Sequence, residues 1–284
     1  ASASYDVKIN DTINKAIITG HNGEIFRDKD SAIVTKNALA VNIIKNDSLY
    51  IHSDTITITC ADEKKILTGN YDVRILKSDV RGLSDSIHFN QETGLINLLK
   101  KPKSSRFLKS LTDEEKNKLN PIIWFGGNQI TGDQIFLKSN VKTEELDSLI
   151  IRGNVFMSQK DSLYSDRFNQ IKGEKLDGFF SDGKLDNVYV EKNSTLLYYM
   201  YSDDAELIGL NKTLASSILI KFLENEISEV SFYRTPDGNV LSENKILTNE
   251  MKLPGFIWRE KERPNKISDL FSDSDKELEI VEIE

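Results

Sequence analysis

Apolar and polar residues alternate in short runs along most of this chain, and each run closes on a turn cluster. Thr55 to Cys60 sets Ile56, Ile58 and Cys60 on one face and three threonines on the other. Leu149, Ile151, Gly153, Val155 and Met157 alternate with Ile150, Arg152, Asn154, Phe156 and Ser158, and Ser217 to Leu223 brings Ile218, Ile220 and Phe222 together. A period of two with β-branched and aromatic residues is the mark of half-buried strands. Asn22-Gly23, Gly69-Asn70, Gly126-Gly127-Asn128, Asp182-Gly183 and Pro236-Asp237-Gly238 punctuate the runs and leave little room for long helices. One helix is expected: Thr112 and Glu115 form a capping box, and Asn120-Pro121 ends it. The region from about 101 to 120 therefore reads as a short helical insertion in an all-β chain.

A small–Asp–x–apolar phrase recurs as Ser53-Asp54-Thr55-Ile56, Ser84-Asp85-Ser86-Ile87, Gly132-Asp133-Gln134-Ile135 and Ser165-Asp166-Arg167-Phe168. Its spacing is about 31 to 33 residues once an insertion of about 17 before Asp133 is set aside, within the range of repeat architectures. A second phrase falls between, as Thr68-Gly69-Asn70-Tyr71-Asp72-Val73 and Arg152-Gly153-Asn154-Val155-Phe156, and more loosely as Leu185-Asp186-Asn187-Val188-Tyr189-Val190. Each unit reads as strand, turn, strand, turn. The Asp side chain is expected to bond the amide two residues on, and stacked units to bury one apolar seam. The expected architecture is a repetitive antiparallel stack over residues 5–260, followed by an acidic, poorly packed tail over 261–284. An ordinary antiparallel sandwich is the alternative.

Composition narrows the function. The 284 residues are 38% apolar and 29% charged, which suits a thin core with much solvated surface. With 37 basic against 45 acidic residues the net charge is −8, so no cationic excess exists to displace counterions from nucleic acid. The lone cysteine, Cys60, precludes an intramolecular disulfide framework, and its strand places it in the core. No window reaches the roughly 18 apolar residues of a membrane helix. Ala1-Ser2-Ala3-Ser4 reads as a cut end without a signal peptide.

No catalytic group, metal site or cofactor is expected. His21, His52 and His88 lie outside any HExxH phrase and occupy different places in their repeats. The periodic acids Asp54, Asp85, Asp133 and Asp166 suit turns better than a catalytic pair. Asp followed by Ser or Thr and an apolar residue, as in Asp11-Thr12-Ile13, Asp47-Ser48-Leu49 and Asp161-Ser162-Leu163, resembles an O-glycosylation phrase, yet a turn entering a strand produces the same pattern.

Several segments, in order, resemble the OstA/LptA-like lipopolysaccharide-transport family, particularly OstA-like proteins of Bacteroidetes. They are Asn120 to Phe125 continuing through Asn128 to Ile135, Phe168 to Gly173, Tyr198 to Tyr201, Leu207 to Thr213, and Leu253 to Arg259. The resemblance spans roughly residues 5–265; the helical insertion and the acidic tail depart from it. It implies a β-jellyroll, or "β-taco", whose interior carries lipid A acyl chains across the periplasm, with an outer-membrane association left open. It also implies no enzymatic activity.

The expected groove comprises Ile56, Ile58, Ile87, Phe89, Ile151, Val155, Met157, Ile218, Ile220 and Phe222. Expected partners are lipopolysaccharide, other β-jellyroll transport proteins through edge strands, and copies of the chain head to tail, with edges at Tyr5–Ile9 and near Glu229–Tyr233, the latter partly covered by Leu253–Trp258. A scaffold with a closed, side-chain-filled interior is the alternative; a carbohydrate-acting β-helix enzyme is a third reading, one the repeat does not supply with clustered acids.

Overall fold

The computed structural model describes residues 1–284 apart from 12–15, 45–46, 62–63, 101–102, 144, 225, 274, 276–277 and 283–284. Thr12 and Ile13 of the Asp-Thr phrase, Lys101 at the start of the insertion, and Ser274 and Lys276 of the acidic stretch lie outside the described residues. The fold is antiparallel β and jellyroll-like, with strand far exceeding helix. The chain divides into two compact units: residues 1–101 with 136–146 and 261–284, and residues 102–135 with 147–260.

The first unit contains β1 (Ser2–Asp11), β2 (Ala16–Phe26), β3 (Ser31–Thr35), β4 (Leu39–Ile44), β5 (Asp47–His52), β6 (Thr55–Ala61), β7 (Lys64–Leu76), β8 (Val80–Asn90) and β9 (Leu95–Leu99). Its long strands serve two layers. The first half of β2 pairs with β4 and the second half with β3; β7 pairs first with β6 and then with β5. The layers enclose Ile18, Val34, Ile51, Ile56, Ile75, Ile87 and Leu98, each essentially without exposed surface.

The second unit begins with α1 (Ser105–Lys109) and α2 (Asp113–Lys118). The capping box of α2 forms as expected: Glu115 N–H donates to Thr112 Oγ1 at 3.2 Å, and Thr112 N–H donates to Glu115 at 2.7 Å. α1, capped by Ser104, has no counterpart in the sequence reading. Then come β10 (Ile122–Phe125), β11 (Asn128–Thr131), β12 (Gln134–Ser139), which belongs to the first unit from residue 136 on, β13 (Leu146–Lys160), which belongs to the second from residue 147 on, β14 (Phe168–Ser181), β15 (Lys184–Tyr201), β16 (Leu207–Leu223), β17 (Glu226–Tyr233) and β18 (Asp237–Leu241). The two halves of β16 pair with β17 and β18.

The repeat is a corner where strands pass between layers. Two consecutive left-handed residues mark each corner: Tyr5-Asp6 in β1, Lys36-Asn37 between β3 and β4 and Tyr71-Asp72 in β7 of the first unit, Gly153-Asn154 in β13, Lys192-Asn193 in β15 and Arg234-Thr235 between β17 and β18 of the second. In five of these pairs the second residue is Asp or Asn, the side chains that best tolerate this conformation. A small residue faces each corner from the neighbouring segment: Gly20, Ser84, Gly173 and Ser216 on strands, Ser53 between β5 and β6 and Gly132 between β11 and β12. The first left-handed residue turns its carbonyl to the neighbouring strand and accepts an N–H: Lys36 from His21 at 2.9 Å, Tyr71 from Asp54 at 3.0 Å, Gly153 from Asp133 at 2.8 Å. A Cβ on Gly132 would lie 2.2 Å from Ile151 Cγ2 and 3.1 Å from the Gly153 carbonyl, and one on Gly173 would meet Val190 and the Glu191 carbonyl. Such crowding is why the position stays small.

This corrects the repeat in three places. Ser165-Asp166 lies in the turn before β14, and Gly173 holds the corner. The local turn bond at two of the phrases comes from the serine: Ser53 Oγ donates to the Thr55 carbonyl at 2.9 Å and Ser84 Oγ to that of Ser86 at 3.0 Å. The Gly-Asn phrases align two residues out of step, since Tyr71-Asp72 corresponds to Gly153-Asn154. In β1 the bulge also breaks the expected Tyr5, Val7, Ile9 face: Val7 is buried and Tyr5 is exposed.

The C-terminal segment covers outer faces that alternation alone would leave wet. In the second unit Leu253 and Phe256 cluster with Phe156, Leu197, Tyr199 and Leu210. The segment is held by β11 and β14 through Gln129 and Gln170. In the first unit Leu270 and Phe271 are buried against Leu39, Val41 and Leu76. Leu270 and Phe271 thus fill a stripe on β4 and β7, while Leu278 and Ile280 farther along the acidic stretch are exposed.

Candidate functional site

All ten expected groove residues are buried. Ile58 and Phe89 line cavities, both in the first unit; Ile56 and Ile87 pack in its core, and Ile151, Val155, Met157, Ile218, Ile220 and Phe222 pack in the core of the second.

Three cavities lie in succession among the described residues of the first unit. The outermost is an open cleft of about 520 Å³ between the ends of its layers. Its apolar wall is Ile9 from β1, Ile18, Ile25 and Phe26 from β2, Ala32 from β3 and Ile58 from β6. Ile18, Ile58 and Lys65 are shared with a narrow space of about 10 Å³, on the scale of a single water. Asn42, Phe89 and Gln91 are shared in turn with an inner cavity of about 110 Å³ bounded by Leu49, Ile75, Val80, Ile96 and Leu137.

Lys65 is the residue that sequence reasoning missed. It pairs with Cys60 in register and points inward with Leu67, leaving only 8% of its surface exposed. Its ammonium pairs with the carboxylate of Asp11, at the end of β1. Burial pulls its pKa below the usual lysine range. The signal was present: Lys65 is in phase with the apolar Leu67, but a lysine at a strand start reads as solvated. Gln91 Nα–H donates to the Lys65 carbonyl at 3.2 Å, and its Oε1, shut off from solvent, has no hydrogen-bond partner among the described residues. Cys60, expected in the core, is exposed, because its strand runs out into the cleft it lines.

The histidines serve separate places. His52 is fully buried; its Nδ1 lies 2.9 Å from the Ala38 carbonyl, its Nε2 3.4 Å from Asp275, and its ring centroid 4.7 Å from that of Phe271. Desolvation lowers its pKa, partly opposed by Asp275. His21 Nε2 lies 2.7 Å from the Glu279 carbonyl, and His88 beside Thr68. Among the described residues no three His, Cys, Asp or Glu side chains group as metal ligands.

No family model matches the chain, and no curated protein matches it. Among solved structures it is similar to LptH from Pseudomonas aeruginosa, described as the LptA-homologous periplasmic component of the lipopolysaccharide transport device. The identity is 12% and the TM-score 0.40, over 57% of this chain and 94% of that one.

Proposed function

We propose that this chain shelters the acyl chains of lipopolysaccharide in the periplasm, on their way to the outer membrane, and that the cleft of the first unit receives them. The observation that carries this reading is the open apolar cleft of about 520 Å³, a volume typical of small-ligand sites. Burying an acyl chain gains about 0.8 kcal/mol per methylene, so grip needs no cationic surface, in keeping with the net charge of −8. The ordered sequence phrases point the same way. The pairings place β1 beside β2 and β17 beside β16, and we propose these strands as the edges for related β-jellyroll partners and for head-to-tail self-association.

The scaffold reading keeps one support: the six groove residues of the second unit pack as core and line none of the three cavities. Native mass spectrometry of the protein extracted from its own envelope separates the two. A co-purifying acylated glycolipid is expected; a lipid-free protein that also takes up no lipid when reconstituted would leave the scaffold.

A further inference from the structure

We infer that the cleft of the first unit has its own polar floor for a single-chain carboxylate, a long-chain fatty acid whose head replaces Asp11 on Lys65. This rests on the reading of the cleft as an acyl-chain site and adds the head-group chemistry. A lysine with 8% of its surface exposed, on an inward-facing strand position, is costly unless paired. Its partner Asp11 comes from the last described residue of β1, and the Asp11 side chain keeps twice the exposure of the lysine's, 22% against 11%. The carboxylate side of the pair is therefore the one nearer water and the one a ligand can replace. The exchange is charge-neutral, one singly charged carboxylate for another.

The geometry sets the orientation. Lys65 stands where the open cleft meets a space of only about 10 Å³, so an acyl chain entering the cleft meets the lysine at its floor. A head group there leaves the chain lying along Ile18 and Ile58 toward Ile9, Ile25 and Phe26. Gln91 Oε1, solvent-free and without a hydrogen-bond partner among the described residues, borders the same narrow space and can accept a hydrogen bond from Lys65 or from a water beside the head. Arg27 and Asp30 also line the cleft and offset one another, so Lys65 offers the floor one positive charge, matched by a carboxylate and exceeded by a phosphate monoester, whose charge approaches −2.

The test compares hexadecanoic acid, hexadecanol and hexadecyl phosphate by calorimetric titration into the delipidated chain at pH 7. The acid is expected to bind at least tenfold more tightly than the alcohol. Lys65→Met, which keeps the aliphatic stem, should bring the acid down to the alcohol's affinity, and Asp11→Asn should tighten the acid several-fold. Equal binding of acid and alcohol by the unaltered chain overturns the inference and leaves the acyl-chain reading standing, as does a preference for the phosphate. Binding of neither acid nor alcohol overturns both. Should Lys65→Met not fold, the comparison of ligands on the unaltered chain decides alone.

Discussion

The side-chain carbonyl of Gln170 accepts the backbone N–H of Leu253 at 2.8 Å, while its amide donates to the Met251 carbonyl at 2.9 Å. Gln129 repeats the arrangement on Ile257 and Arg259, at 2.7 and 2.6 Å. Each glutamine thus mimics one step of a β-ladder and fastens the segment across Phe156 and Leu210. Gln170→Ala or Gln129→Ala leaves buried backbone groups unpaired, at about 1–3 kcal/mol each. Hydrogen exchange over residues 251–259 should speed up while β15 stays protected; unchanged exchange would contradict the clasp.

Corner positions should tolerate no added carbon. Gly132→Ala forces Ile151 or the Gly153 carbonyl aside, at about 1–3 kcal/mol. Gly127→Ala, with nothing within 4 Å of the new Cβ, should be near neutral. Urea unfolding of the two variants gives the comparison, and equal midpoints would refute the crowding argument.

Ile151→Asp and Ile220→Asp place a carboxylate at positions with at most 1% exposure, and each should cost several kcal/mol or unfold the chain, roughly as for an uncompensated buried charge. Lys221→Ala breaks only an exposed pair with Glu229 at 2.9 Å, and Thr57→Ala alters a half-buried side chain; both should be mild. Thermal melts that rank the two faces equally would undo the inside and outside assignment.

His52 should make stability pH-dependent. Its folded pKa is lowered, with Asp275, Asp72 and Arg74 as the charges around it. The folded state therefore binds the proton less readily than the unfolded chain. Stability from this group is fully present above the unfolded value of about 6.5 and declines as pH falls below it toward the lowered folded value. His52→Gln should flatten the fall in Tm between pH 7 and 5.5. An unaltered slope would assign the effect elsewhere.

Cys60 reports on the cleft directly, being exposed and part of its lining. Its alkylation by a maleimide should slow when a long-chain amphiphile is bound and recover on delipidation. Rates independent of ligand would count against occupancy at this end of the unit.

Head-to-tail pairing of β1 with β17 of another copy is heterologous and would propagate as a filament. Light scattering should rise with concentration. A chain that stays monomeric at high concentration and ignores β-jellyroll partners would remove the edge-pairing proposal.

The amino-acid sequence by itself determined the strands, the capped helix and the inward set, because alternation and capping are local: Ile56, Ile151 and Ile220 could be placed from their immediate neighbours. It also carried the corner, in its Asx residues and small residues, though not the register that shows Tyr71-Asp72 and Gly153-Asn154 to be equivalent. What only the tertiary structure decided is nonlocal. Alternation assigns a residue to a face but not what covers that face, so Phe156 reads as outward until Leu253 and Phe256 are seen to bury it. The same holds for the site. A lysine at a strand start is solvated by default, and Lys65 became the floor of a cleft only because β1, distant in sequence, brings Asp11 to it and the layers stay apart at that end.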